Sequence, residues 1–291
     1  MKILITGVYG IVGSYLCEKL KQSHEVIGIG RRENYDKCDK YYSCDITDKN
    51  QIEKVLNENK DLDIIIHCAA LAHKKGNDLS KDRFMKVNYE ATKYLSDLSN
   101  NLLNLKNFIF ISTISVYGER MDKDIYIETD ECYPKSPYAV AKRMSEEYII
   151  ENYKNNYTIL RLAPVYSENF RLNIDRRTLI KGIPYRVGDG KNKLSLCNID
   201  NIYRAVEYIA ANSDKEKNEI YNISDKEVYD FNDLLKMGNR KAKIIFPRFL
   251  FSILYKINEV IIKKQFIHEN SIKLITDNKY LSTKIDNKLK L

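Results

Sequence analysis

Five short runs in the first two-thirds of the chain are apolar without regular polar alternation: Lys2–Thr6, Glu25–Ile29, Asp63–Cys68, Asn107–Ser112 and Tyr157–Leu162. A strand with one wet face alternates apolar and polar side chains, whereas continuous Ile, Leu and Phe require cover on both faces. Helix-like segments lie between the runs, near Ile11–Leu20, Lys49–Glu58, Lys81–Asn101 and Ser136–Tyr153. Strand and helix in alternation imply right-handed crossovers, so the expected fold class is α/β with a doubly wound parallel sheet.

After Leu162 the rhythm breaks. Residues 163–193 carry Pro164, Pro184, three glycines and a cluster of arginines, which reads as an irregular lobe. Ile199–Ala211 is helical again, and Glu219–Ile223 looks like one more sheet strand. The expected organisation is therefore interleaved: residues 1–165 plus 196–225 form a dinucleotide-binding domain, and 166–195 plus 226–291 a smaller substrate lobe.

Composition narrows the function classes. Six cysteines are scattered without a C-x-x-C pair, which argues against a metal site or a disulfide framework and for reduced thiols in the cytoplasm. Because Lys2–Thr6 already reads as a core strand, no secretory signal is expected. The net charge of +8 is dispersed among Asn, Ile and Tyr rather than gathered in a basic tract. It speaks against nucleic acid and suits an anionic small-molecule partner. The longest apolar stretch, Phe246–Ile262, is interrupted by Pro247, Arg248, Lys256, Asn258 and Glu259, so no membrane span is expected. It reads as a helix packed on the second lobe, with a surface-lying amphipathic helix as the alternative.

The first strand runs straight into Gly7-Val8-Tyr9-Gly10-Ile11-Val12-Gly13. Gly7 permits a tight turn, Gly10 lets the backbone approach a pyrophosphate, and Gly13 allows close helix-to-strand packing. The N–H groups of the following helix and its positive dipole end suit phosphates. The spacing is G-x-x-G-x-x-G, and its place between strand and helix gives it weight that eleven glycines alone do not. At the end of the second strand an acid would bind the adenosine ribose; here Arg31 and Arg32 stand instead. Two guanidiniums suit a 2′-phosphate, so NADP(H) is expected over NAD(H). Asp45 and Ile46 are placed to cap the adenine edge, and Cys68, Ala69 and Ala70 offer small residues where a cofactor crosses the sheet.

Tyr138 and Lys142 are four apart on a helix, hence on one face. Tyr15/Lys19, Tyr89/Lys93 and Tyr280/Lys284 share that spacing, so spacing alone carries nothing. Context separates them: only Tyr138 follows a strand ending in the hydroxyls Ser112-Thr113, and ligands of open α/β sheets bind at carboxyl ends of strands. Ser136 and Pro137 supply a cap and a first-turn proline.

Together, Gly7-x-x-Gly10-x-x-Gly13, His67-Cys68-Ala69-Ala70, Ser112-Thr113-Ile114-Ser115-Val116-Tyr117-Gly118 and Tyr138-x-x-x-Lys142 resemble the extended short-chain dehydrogenase/reductases. The group most like it is the nucleotide-sugar epimerases, dehydratases and 4-keto-sugar reductases, and the resemblance covers roughly residues 1–225. It implies a Rossmann sheet and an NAD(P)-dependent enzyme. By resemblance Tyr138 is the general acid/base, and Lys142 holds the nicotinamide ribose and lowers the tyrosine pKa. Thr113 bonds the reacting oxygen, Asn88 has a supporting structural role, and Ala163-Pro164-Val165 borders the carboxamide. Tyr9, Ile11 and Val12 belong to the implied cofactor turn. A nucleotide-diphosphate sugar is the implied substrate, and a homodimer through Lys81–Asn101 and Ser136–Tyr153 the implied assembly.

The departures are informative. Dehydratases of this group carry Asp-Glu after the threonine, where this chain has Ile114-Ser115, which leaves 4-epimerisation or reduction of a 4-keto sugar. In the segment Lys193-Leu194-Ser195-Leu196-Cys197-Asn198-Ile199-Asp200 a leucine stands at the arginine that the resemblance implies for the substrate diphosphate, so Arg171, Arg176 or Arg177 is expected to replace it. The alternatives are a reductase of a non-sugar carbonyl compound and a non-catalytic dinucleotide-binding regulator; the complete set Thr113, Tyr138 and Lys142 speaks against the regulator.

Overall fold

In the computed structural model, which describes residues 1–72 and 80–290, strand β1 (Lys2–Thr6) lies inside a seven-stranded sheet. Beside it run β2 (Glu25–Gly30) and β3 (Lys40–Ser43) on one side, and β4 (Ile64–His67) and β5 (Asn107–Thr113) on the other, each neighbouring pair parallel. Tyr157–Leu162 and then Glu219–Ile223 complete the order beyond β5. β4, β5 and Tyr157–Leu162 are buried at every residue, as continuous apolar strands demand. β3, with the sequence KYYS, was not anticipated. It is a partly exposed edge strand whose two tyrosines present no apolar run.

The crossover helices are α1 (Ile11–Leu20), α2 (Lys49–Asn57), α3 (Lys81–Phe84), α4 (Ala91–Ser99) and α5 (Pro137–Asn152). Side chains of Asp48, Ser80 and Ser136 accept first-turn N–H groups of α2, α3 and α5. The single helix expected over 81–101 is instead α3 and α4 joined by a π-helical segment, Met85–Glu90. An i→i+5 turn inserts one residue without breaking the apolar pattern, which is why periodicity did not reveal it.

By compactness the chain forms two units. The first comprises Met1–Val116, Ser136–Arg161 and Ile202–Tyr221, and the second Tyr117–Lys135, Leu162–Asn201 and Asn222–Leu291. The second unit is built of short pieces. Ile183–Val187 pairs antiparallel with Leu179–Ile180 and parallel with Ile244–Phe246. Cys197–Asn198 pairs with Val165–Tyr166, and Lys279–Tyr280 with Ile125–Tyr126. Small apolar clusters hold it, one of Ile174, Leu194, Leu196 and Leu234, another of Tyr185, Val187 and Phe231. Among the described residues no helix is long and apolar enough to cross a membrane.

Candidate active site

The β1–α1 turn is a backbone cradle. Gly7 has φ +73°, and a Cβ there would stand 2.6 Å from the Ala69 Cα, so the turn and the end of β4 approach as only glycine allows. A Cβ on Gly13 would lie 2.4 Å from the Gly7 carbonyl oxygen, so the first turn of α1 packs on the glycine loop itself. Gly10 occupies the N-cap with extended backbone and no side-chain cap, and the first turn carries no acid. The leading N–H groups of Ile11, Val12 and Gly13 thus have no intrahelical acceptor, and the residues present fit a dinucleotide pyrophosphate.

Beside the cradle, at the end of β2, the rings of Tyr9, Tyr35 and Tyr41 cluster, with Tyr9 and Tyr35 centroids 4.9 Å apart. Arg32 lies 4.6 Å over the Tyr9 ring, and its carbonyl accepts from the Tyr41 hydroxyl at 2.5 Å. The Tyr9 hydroxyl donates to the Asn34 carbonyl. Arg31 and Arg32 are both exposed. Tyr35 and Tyr41 escaped the sequence reading because 22 tyrosines make any one of them inconspicuous. The Asp45 carboxylate is engaged by the N–H and hydroxyl of Thr47, each at 2.9 Å, and Ile46 is buried beside it.

A directed hydrogen-bond chain runs beneath the cradle. The register of β1 on β4 sets Thr6 opposite His67. The Thr92 hydroxyl donates to the Asn88 carbonyl at 2.6 Å, so it can only accept from His67 Nε2, 2.9 Å away. His67 Nδ1 is then the bare acceptor for the Thr6 hydroxyl at 2.7 Å, and Thr6 in turn accepts the Ala69 N–H at 3.1 Å. Burial, reinforced by the Lys142 charge, pushes the His67 pKa down to about 3, in keeping with a neutral ring. The Asn88 amide clamps both backbone groups of Leu71, at 2.7 and 3.0 Å. Cys68 is partly buried and Ala70 exposed beside this chain, and burial raises the Cys68 thiol pKa.

Thr113 ends β5 with its hydroxyl donating to Ser115 Oγ at 3.3 Å, and Tyr138 opens α5 close to the Thr113 side chain. Thr113 Oγ1 also accepts the Ser115 N–H at 3.2 Å, and the Phe84 ring meets Tyr138 edge-on at 6.4 Å. Lys142 is buried; its ammonium donates to the Ile111 carbonyl at 2.7 Å and sits 4.3 Å over the Phe110 ring. Desolvation pushes its pKa down to about 8. The expected lowering of the tyrosine pKa is not met in this geometry. Burial pushes Tyr138 up to about 12, the neighbouring Thr113 side chain opposes this only in part, and the Lys142 ammonium is turned to the strand carbonyl.

Below these residues sits an ion pair that the sequence reading missed. Arg161 Nη2 meets Glu146 Oε2 at 2.8 Å and Arg161 Nε meets Oε1 at 3.1 Å, with both side chains at most 2% exposed. Ser112 donates to the same carboxylate at 2.5 Å and Arg143 at 3.1 Å. The pair fastens α5 to the strand Tyr157–Leu162 and to β5, fixing the helix that carries Tyr138. Two signals were available: Tyr138, Lys142 and Glu146 repeat every four residues, and an arginine interrupts the apolar run YTILRL.

The other expected residues belong to the second compact unit. Ala163 is buried, with its N–H on the Ile223 carbonyl at 3.0 Å, and Val165 pairs with Cys197. Arg171 is exposed and donates to the Met237 carbonyl at 2.8 Å. Arg176 and Arg177 share the helix Leu172–Thr178; Arg176 is exposed, whereas burial lowers the Arg177 pKa, with Tyr280, Tyr185 and Glu119 as its charge neighbours. Leu194 and Leu196 are both core, and in the first unit Ile114 is buried at the start of the turn Ile114–Tyr117.

Comparison with known proteins agrees with this architecture. The chain is 27% identical over 283 residues to the dTDP-D-glucose 4,6-dehydratase of Dictyostelium discoideum, covering 82% of this chain and 62% of that protein, so it spans less than two-thirds of that relative. It is 29% identical over 239 residues to the UDP-glucose 4-epimerase of Vibrio cholerae, covering 77% and 70%. The crystal structure of the UDP-glucose 4-epimerase from Thermotoga maritima with UDP-glucose matches with a TM-score of 0.75 at 25% identity, over 100% of this chain and 93% of that one. A family model described as the NAD dependent epimerase/dehydratase family matches residues 3–224. This chain belongs to the NAD dependent epimerase/dehydratase family, within the extended short-chain dehydrogenase/reductases.

Proposed function

We propose that this chain is an NAD(P)-dependent nucleotide-sugar epimerase or 4-keto-sugar reductase, exchanging hydride and proton at one sugar carbon. The carrying observation is the placement of Tyr138 at the first turn of α5, close to Thr113 at the end of β5, with the buried Lys142 one turn further along the same helix face. When bound, the nicotinamide supplies or accepts the hydride. Tyr138 exchanges the proton with the sugar oxygen, and Thr113 orients that oxygen. Lys142, with a pKa of about 8, stays largely charged at neutral pH and suits the ribose hydroxyls. Ile114 and Ser115 provide no carboxylate to expel water, which supports the reading against dehydration.

NADP(H) over NAD(H) is proposed from Arg31 and Arg32, exposed at the end of β2; the NAD in the family's description is the counterweight. Of the three arginines, Arg177 is assigned to the substrate diphosphate, because it is half-buried on the helix Leu172–Thr178, whereas Arg171 and Arg176 are exposed and Arg171 is engaged by the Met237 carbonyl. The six free cysteines support a reducing, cytoplasmic setting. A homodimer through 81–101 and 136–153 belongs to the same proposal.

The test is turnover of a UDP- or dTDP-linked 4-keto sugar with NADPH and with NADH, alongside 4-epimerisation of UDP-glucose. Tyr138→Phe should lower kcat by about 10²–10⁴-fold while dinucleotide affinity stays unchanged. Near-normal turnover in that variant removes the role given to Tyr138, and tighter binding of NAD(H) removes the role given to the arginine pair.

A further inference from the structure

The stretch that sequence analysis left between two readings is a helix over Arg248–Ile257 that continues as a π-helical turn over Asn258–Ile262. One side of it is well held. Phe251 packs on the Tyr185, Val187 and Phe231 cluster, with its ring 6.0 Å from that of Phe246. The Arg248 guanidinium donates to the Ile275 carbonyl, and Tyr255 lies 5.5 Å from the His268 ring. The Asn258 side chain accepts the Lys264 N–H at 3.0 Å, fixing the end of the helix.

The other side is apolar and open to water. Phe249 is 60% exposed, Ile253 50%, Val260 73% and Ile261 74%, and Leu250 and Ile257 are exposed with them. Positions 249, 250, 253, 257, 260 and 261 fall on one helical face, and the helix Arg248–Ile257 buries none of its residues. Soluble surfaces seldom leave so continuous an apolar stripe uncovered.

The charge beside the stripe identifies its cover. From 248 to 264 the chain carries Arg248, Lys256, Lys263 and Lys264 against the single carboxylate of Glu259. That carboxylate is turned to His268 Nδ1 at 2.7 Å, whereas Lys256, Lys263 and Lys264 are exposed. An apolar stripe bordered by ammonium groups matches acyl chains bordered by anionic headgroups. A second copy of this chain meets the stripe less well. Two-fold pairing would set these cations against one another, with each Glu259 already engaged.

We propose that the face formed by Phe249, Leu250, Ile253, Ile257, Val260 and Ile261 docks this protein onto an anionic membrane surface, with the helix lying in the plane of the headgroups.

The chain has no tryptophan, so Phe249→Trp creates a sole tryptophan, excited selectively at wavelengths where the tyrosines do not absorb. With vesicles of phosphatidylcholine and phosphatidylglycerol in equal amounts its emission should shift to the blue. With phosphatidylcholine alone it should not, and Leu103→Trp, at a residue 97% exposed outside this face, should shift with neither. Cosedimentation with the mixed vesicles should fall by about tenfold or more in Ile253→Ser/Val260→Ser and in Lys256→Gln/Lys264→Gln. All six side chains in these variants are solvent-facing, so thermal unfolding and dinucleotide binding should be unchanged. Equal binding to both vesicle types, undiminished binding by either double variant, or no binding at all overturns the proposal. So does a stable dimer that Ile253→Ser/Val260→Ser dissociates without any vesicle binding, which makes the stripe a contact between copies.

Discussion

Lys142 is a buried charge that opposes the stability of its surroundings. Its folded pKa of about 8 lies below the 10.5 of an exposed lysine. Between those values the unfolded chain holds a proton that the folded protein has released, so stability rises with pH across that window. Below pH 8 the cost of the buried charge is present in full. Lys142→Met keeps the length and removes the charge. It should gain up to about 3 kcal/mol at pH 7, less about 1 kcal/mol for the lost hydrogen bond to the Ile111 carbonyl. Its melting temperature should therefore exceed that of the parent at pH 7, with the difference shrinking toward pH 10; an unchanged or lower value at pH 7 contradicts the desolvation argument. At this scale the sequence was partly legible. The convergence of Thr113 and Tyr138 could be anticipated because each sits at a motif boundary, a strand end and a capped helix start. The protonation states could not, since they depend on which carbonyls and rings surround the groups after packing. Glu146 and Arg161 hid for a related reason: a charge in an apolar run declares itself only once its counter-charge on another element is known.

The β1–α1 turn and α5 are each positioned by one close contact, and each can be probed. Gly13→Ala drives a methyl to 2.4 Å from the Gly7 carbonyl, which should cost about 1–3 kcal/mol and weaken dinucleotide binding together with stability. Calorimetry and a cofactor titration check both effects. Arg161→Met leaves the buried Glu146 carboxylate with only Ser112 and Arg143 as partners and should cost up to about 3–5 kcal/mol, whereas Glu146→Gln/Arg161→Met should cost markedly less. A double-mutant cycle in urea reads the difference, and additive costs would show that the pair does not act as a unit. Element bounds were legible where apolar periodicity was unbroken: β1, α1, Tyr157–Leu162, Ile199–Ala211 and Glu219–Ile223 lie where the sequence pattern puts them. They were not legible for β3, where position at the sheet edge rather than composition makes the strand. Nor were they for Met85–Glu90, where one extra residue per turn is invisible to a pattern read over six positions.

At the scale of the molecule, the chain passes between its two compact units five times, after residues 116, 135, 161, 201 and 221. A fragment of residues 1–116 contains β1 to β5 but neither outer strand beyond β5. It also loses both partners of the Asn107 amide, Thr158 Oγ1 and the Glu216 carbonyl, each at 3.1 Å. Such a fragment should melt without a cooperative transition by circular dichroism, whereas the full chain melts cooperatively; a sharp transition in the fragment would mean that the first five strands suffice. During synthesis the same threading imposes a schedule. The ribosome must deliver Tyr221 before the first unit holds all its parts, and the earliest piece of the second, Tyr117–Lys135, emerges before most of its own neighbours have been translated. The nascent protein therefore carries β5 with an unpaired edge through the translation of some forty further residues, up to Tyr157, an interval in which that edge is open to pairing with other chains.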